Sequence, residues 1–226
     1  MTGAGGNEFV EQPIYQQLSR IAKAMSNPGR LRLLDLLDTT AELTVEELSA
    51  ASGIALKNTS AQLQDLRANG LVVARRDGVR MFYRLAGPAV SEFLGRYQRF
   101  AADSLADLRA EIQSYLGGAG QWDPVGPDEL ARLREQGVLL VDVRSADDYA
   151  HGHIPGAVSL PLSELTDRLT ELPADTEVVA YCQGPYCVAS PRAAQTLADN
   201  GFRVRTLDGG YAAWVRLHGR TAAACE

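Results

Sequence analysis

The stretch SYLGGAGQWDPVGPDEL, residues 114–130, divides the chain. Its 116–127 core holds four glycines and two prolines. Such residues punctuate regular structure, so a joint is expected near 117–126. The apolar pattern differs on its two sides. Before it, apolar residues recur at helical spacing around one hairpin. After it, apolar strands alternate with helical stretches. The 226 residues are therefore expected to form two domains, 1–118 and 119–226.

Local signals in the first part are strong. Residues 14–25 have helical spacing. Asn27 and Pro28 read as a cap followed by proline at the first helical position. Thr44 with Glu47 three residues on forms a capping box, and Gly53 reads as a turn. A helix is expected over 55–68, stopped by Asn69-Gly70. LVVARRDGVRMFYRL reads as two strands around Asp77-Gly78. Residues 88–116 read as one long helix.

A short helix, a turn, a second helix and a basic hairpin form the order of a winged helix-turn-helix. The whole chain carries a net charge of −6, all of it in 119–226, where 9 Lys and Arg face 15 Asp and Glu. Residues 1–118 are balanced, with 13 of each sign. Between Lys57 and Arg84 lie six bases and two acids, the local footprint of phosphate binding. The second helix would enter a major groove, and the hairpin would place Arg75, Arg76 and Arg80 on phosphates or in the minor groove. By spacing, Lys57, Asn58, Ser60 and Gln62 are expected to face outward, and Leu56, Leu63 and Leu66 inward.

VEELSAASGIALKNTSAQLQDLRANGLVVARRDGVRMFYRLA resembles the winged helix of the ArsR/SmtB family of bacterial repressors, over about 12–116. The resemblance implies a homodimer, paired through its first and last helices, on a palindromic double-stranded DNA operator. Many members of that family hold a metal or arsenite through cysteines before the turn, or through histidines and acids in the last helix. Here the segment is EELSAAS, and residues 1–118 contain no Cys and no His. Soft-metal ligation needs thiolate or imidazole, so no such inducer site is expected in this half.

The second half offers three buried-strand runs, 137–143, 177–182 and 203–207, with helical stretches at 127–135, 163–171 and 191–200. This predicts an α/β domain with a parallel sheet. Cys182 stands at the carboxyl end of a strand, where sites in such sheets lie. The loop Gln183, Gly184, Pro185, Tyr186, Cys187, Val188 follows it. Ser190 reads as a helix cap, with Pro191 at the first helical position. Loop amides above a helix N-terminus would lower the pKa of a thiol and hold an anion. A phosphatase cradle would need Arg at 188, where the chain has Val. A persulfide, with one charge, needs only amides.

LLVDVRSADDYAHGHIPGAVSLPLSEL (139–165) resembles the opening of a rhodanese domain, and LDGGYAAW (207–214) its close. The resemblance covers about 125–219 and implies sulfane-sulfur chemistry at a catalytic Cys182, within the loop 183–188. The sixth loop position is Cys187, where members of that family often have Arg or a small hydroxyl residue. Thiosulfate turnover is therefore expected to be weak. Cys187 is a possible resolving thiol, able to attack a Cys182 persulfide. Asp142 and Arg144 are expected to brace loops, and His151 and His153 to belong to a structural turn.

No run of about 18 apolar residues exists, so no membrane span is expected. MTGAGGNEFVEQP has no basic segment leading an apolar one, so no signal peptide is expected. The expected compartment is the cytoplasm, where thiols stay reduced and a close cysteine pair is reactive. No cofactor and no metal are expected, and Cys225 is given no role.

Three readings remain. One is a transcriptional regulator whose rhodanese domain senses a small sulfur-containing or thiol-reactive inducer. Another is a sulfurtransferase with the winged helix as a dimerisation or localisation module. The third is an arsenite- or metal-responsive repressor using Cys182, Cys187 and a third ligand such as Cys225.

Overall fold

The structure, a computed structural model, describes residues 13–117 and 122–219. Cys225 lies outside the described residues. The chain separates into two compact units, Met1–Leu94 and Gly95–Glu226.

In the first unit, α1 (Pro13–Met25), α2 (Pro28–Thr39), α3 (Val45–Ser52) and α4 (Leu56–Ala68) precede the hairpin β2 (Val72–Asp77) and β3 (Arg80–Leu85). The caps form as the local signals require. Asn27 accepts from the Arg30 amide, and Pro28 opens α2. Thr44 and Glu47 close a reciprocal capping box on α3. Gly53 ends α3 with φ 71°, in the left-handed region open to glycine. The hairpin register pairs Asp77 with Arg80, so its two turn residues are Gly78 and Val79 rather than Asp77-Gly78. A two-residue strand, β1 (Leu43–Thr44), adds to β3 and makes a three-stranded sheet. Leu33, Leu34, Leu37, Leu48, Leu63, Leu66 and Tyr83 fill the core.

The expected single helix over 88–116 is two: α5 (Pro88–Ser104) and α6 (Ala106–Tyr115). Leu105 is extended, with φ −112° and ψ 105°. The Arg109 guanidinium donates to the Ala102 and Asp103 carbonyls at 2.9 and 2.6 Å. It satisfies acceptors that a continuous helix would have used. The first core reaches Leu94 and no further along α5, and α6 has no buried residue. The division at 94/95 reflects where that core stops.

The second unit carries five parallel strands in the order β4-β8-β7-β5-β6. They are β4 (Pro124–Val125), β5 (Leu139–Asp142), β6 (Val158–Ser159), β7 (Val178–Tyr181) and β8 (Val204–Leu207). Alternate residues enter opposite cores. Leu140, Val179 and Tyr181 join Leu130, Tyr211 and Trp214 on one side. Val141, Val178, Ala180 and Cys182 join Leu165, Ala193 and Leu197 on the other. The helices are α7 (Pro127–Glu135), α8 (Ala146–His151), α9 (Ala189–Asp199) and α10 (Gly210–His218).

Two expectations fail here. Residues 163–171 form turns and a short 3-10 segment, Leu169–Glu171, rather than an α-helix. Most of their bonds reach back three residues, as in Asp167 N–H to the Glu164 carbonyl at 3.1 Å. Arg168 pairs with Glu164 and Glu171 at the exposed surface of this segment. Ser190 is not the cap of α9. The helix starts at Ala189 after Val188, with no side-chain cap. Ser190 lies inside the first turn, and its buried hydroxyl donates to the Ala180 carbonyl at 3.1 Å. The last carbonyl-side residues of β7 thus hold the start of the helix.

Candidate functional site

In α4, Thr59, Leu63 and Leu66 are buried and define the inward face. Lys57 and Asn58 are exposed, as expected, but Ser60 and Gln62 are half-buried on the flanks. The Gln62 Oε1 accepts from Arg30 of α2 at 2.9 Å, and Arg30 also pairs with Asp65 at 3.1 Å. Gln62 is therefore engaged within its own unit. Leu56, expected inward, is 48% exposed at the start of α4. Polar residues on both flanks of a short helix leave its phase ambiguous by about one position, which the packing of Thr59 resolves. Gln64 lies on the exposed side, and its Nε2 donates to the Tyr83 hydroxyl at 3.2 Å. Spacing alone did not single it out.

The wing is cationic but partly neutralised. Arg75 pairs with Glu42 at 2.7 Å and Asp77 at 3.0 Å, and lies over the Phe82 ring. The Arg75 hydrogen bond holds the Glu42 carboxyl below its usual range. Arg76 donates to the Gly78 carbonyl at 3.0 Å, and Arg80 is exposed.

In the second unit the thiol loop is shaped by its own sequence. Cys187 N–H donates to the Gly184 carbonyl at 3.2 Å, closing a four-residue turn with Pro185 at its second position. That turn returns Cys187 to Cys182. Their Cα atoms are 6.2 Å apart and the sulfurs are joined as a disulfide. The distance falls within the roughly 4.4–6.8 Å that such a bond spans. Cys182 is 4% exposed, at the end of β7. Gln183, Gly184, Pro185, Tyr186, Cys187 and Val188 are half-buried.

The loop is held from two directions. Tyr211 N–H donates to the Cys182 carbonyl at 2.8 Å, and Ala212 N–H to the Gln183 carbonyl at 3.0 Å. The N-terminal donors of α10 are thereby satisfied by the loop backbone. Gly210 makes this approach possible: a Cβ there would meet the Cys182 carbonyl oxygen at 2.5 Å. Below, buried Arg144 pairs with buried Asp142 at 2.6 Å and donates to the Gly152 carbonyl at 2.7 Å and Gln183 Oε1 at 3.1 Å. Burial opposes the Arg144 charge, but the Asp142 bonds outweigh it and raise its pKa. Tyr181, whose hydroxyl accepts from Ile154 N–H at 3.1 Å, is pushed well above the usual phenol range by burial. Among the described residues, no group of three or more His, Cys, Asp and Glu is arranged to hold a metal. His151 and His153 bond the carbonyls of Asp147 and Tyr149, and His153 stacks on Tyr149.

Two family models match the chain. The model described as bacterial regulatory protein, arsR family, matches residues 27–73, and that of the rhodanese-like domain matches 126–217. The chain is 44% identical over 215 residues to the HTH-type transcriptional regulator Rv0324 of Mycobacterium tuberculosis, covering 95% of this chain and 93% of that one. The chain belongs to the arsR family of bacterial regulatory proteins, with a C-terminal rhodanese-like domain.

This arsR-family chain is also 41% identical over 90 residues to a sulfurtransferase of Allochromatium vinosum, covering 39% of this chain and 81% of that protein. Among solved structures it is similar to the homodimeric winged helix-turn-helix DNA-binding domain Mb0332 (fragment 1–100) of Mycobacterium bovis. That similarity is 37% identity over 47% of this chain and 95% of the other, with a TM-score of 0.40. No helix among the described residues is long and apolar enough to cross a membrane.

Proposed function

We propose that this arsR-family protein is a DNA-binding regulator whose rhodanese-like domain senses reactive sulfur through Cys182 and Cys187. The proposal takes 1–118 as the DNA-binding and dimerisation domain, 119–226 as the sensor, and the cytoplasm as the compartment. The observation that carries it is the turn that sets two thiols within disulfide reach at a strand end. Residues 1–118, which contain neither Cys nor His, offer no thiol entry for a signal.

The chemistry balances without a cofactor. The Cys182 thiolate attacks the terminal sulfane sulfur of a polysulfide, displacing a polysulfide shorter by one sulfur. This leaves Cys182 as a persulfide. The Cys187 thiolate then attacks Cys182 Sγ and expels hydrosulfide. Two thiols are oxidised to a disulfide and one sulfane sulfur is reduced to sulfide. Operator binding by Lys57, Asn58, Ser60 and the wing residues Arg75, Arg76 and Arg80 would be weakened in the bridged form. Gln62 belongs to the same DNA-binding set, its amide oxygen accepting from Arg30. The exposed Ile14 and Leu18 of α1 and Phe93, Tyr97 and Phe100 of α5 favour pairing of two copies.

The test compares wild type, Cys187→Ser and Cys182→Ser in operator titrations with intact-mass analysis. Polysulfide should weaken operator binding in wild type about tenfold, which requires a differential free energy of ~1.4 kcal/mol between the two forms. Cys182→Ser should not respond, and Cys187→Ser should hold an unbridged persulfide with a smaller effect. Equal responses from all three would remove the loop as sensor. The likeness to a sulfurtransferase supports a second reading as an enzyme. Rapid sulfur transfer from thiosulfate to cyanide, abolished in Cys182→Ser, would favour it.

A further inference from the structure

We infer that Leu56 reads the C5-methyl group of a thymine in the major groove. The inference rests on the DNA-binding reading above and identifies one chemical contact within it. Leu56, Ser60 and Gln64 recur every four residues and form one line along α4. Beside that line stand exposed Lys57 and Ala61. The far end of the line is fixed, because Gln64 donates to the hydroxyl of Tyr83, a residue anchored in the core. Leu56 is the first residue of the helix, and the N-terminal residues of a groove-reading helix face the base edges.

Leu56 is not among the residues that form or pack against the core of its unit. It stands with half its surface in water beside a cation and an amide, Lys57 and Asn58. A leucine can neither donate nor accept a hydrogen bond. The groove feature it can recognise is therefore apolar, and in the major groove that feature is the thymine methyl. Lys57, its neighbour in sequence, would meet the phosphates and carry no base information.

The experiment uses the reduced full-length chain. A duplex is first selected from a random DNA pool. Each thymine is then changed singly to uracil, which keeps every hydrogen-bonding group and lacks only the methyl. At one thymine per half-site this should weaken wild-type binding about fourfold, the factor for one methyl-sized apolar group returned to water. Leu56→Ala should bind the thymine and uracil duplexes equally. Leu56→Gln, which can bond an adenine edge in two places, should move the preference at that base pair from thymine to adenine. Leu56 is exposed, so both variants should keep the wild-type unfolding transition.

The inference is overturned if no single uracil weakens wild type. It is also overturned if the same uracil weakens Leu56→Ala as much. Failure to select any duplex would remove the DNA-binding reading and this contact with it; selection without a methyl effect would remove the contact alone.

Discussion

Gly210→Ala tests whether the loop and α10 are one mechanical piece. Gly210 has φ +57°, and a Cβ built on it lies 2.5 Å from the Cys182 carbonyl oxygen and 3.1 Å from the Gly184 nitrogen. Both are backbone atoms, so no side chain can rotate away. The left-handed conformation alone costs a non-glycine residue about 1–2 kcal/mol. Relief of the clash must move the loop away from Tyr211 and Ala212, whose amides bond it at 2.8 and 3.0 Å. Each bond is worth about 0.5–1.5 kcal/mol net, so the whole loss is about 2–5 kcal/mol.

Gly201→Ala separates the two causes. Gly201 has φ +87° and nothing within 4 Å of its added Cβ, so it bears the conformational cost alone. Both tryptophans, Trp122 and Trp214, lie in the second unit, so their fluorescence follows its unfolding. At about 4–8 °C per kcal/mol, Gly210→Ala should lower that transition by at least about 8 °C, and by more than Gly201→Ala does. Intact-mass analysis should show slowed sulfur uptake at Cys182 in Gly210→Ala alone. Equal thermal shifts with normal uptake in both would refute the argument that the loop leans on Gly210.

Arg144→Met should cost about 3–5 kcal/mol in urea unfolding followed by tryptophan fluorescence, because Asp142 is left as an unpaired buried charge. Arg75→Ala with Arg76→Ala should lower affinity for every duplex and flatten the log–log salt dependence by about 0.9 for each phosphate that no longer meets a cation. An unchanged slope in equilibrium titrations would mean that the Glu42 and Asp77 pairs keep Arg75 off the DNA. Glu47 is held below its ordinary value of 4.5 by the Thr44 amide. Its contribution is thus present above about pH 4.5 and is lost as pH falls through the depressed value. The stability advantage of wild type over Glu47→Gln should shrink with acidification over that window, as read by denaturant midpoints.

Much of this protein was legible along the chain because its signals are local. Asn27 before Pro28, Thr44 with Glu47, and Gly53 satisfy backbone groups within a few residues, so their order alone places α2 and α3. The runs around Leu139 and Val178 are apolar on both faces, as a covered parallel sheet allows, whereas Val204–Leu207 carries Arg205 and Thr206 and buries only Leu207 fully. The nearness of Cys182 and Cys187 in sequence made a second thiol readable as chemistry, but the turn from Gly184 to Cys187 that joins them was read only as a loop. The two-residue strands β1, β4 and β6 were not readable, because each exists only through a partner far away in sequence. The break at Leu105 was missed for a different reason: it is local, but it depends on the Arg109 side chain folding back onto carbonyls six and seven residues earlier, which helical periodicity does not register.

The outward face of α4 was decided by packing. Its polar residues permit two phases, and burial of Thr59 turned Leu56 outward and Gln62 toward Arg30. Ser190 looked like a cap by type, but the Ala180 carbonyl offered its hydroxyl a partner in the interior. Sequence by itself determined which segments could close their own hydrogen bonds and that two thiols share one loop after a strand. Tertiary structure alone decided which side chains the core consumed, because burial is a competition among residues distant in the chain.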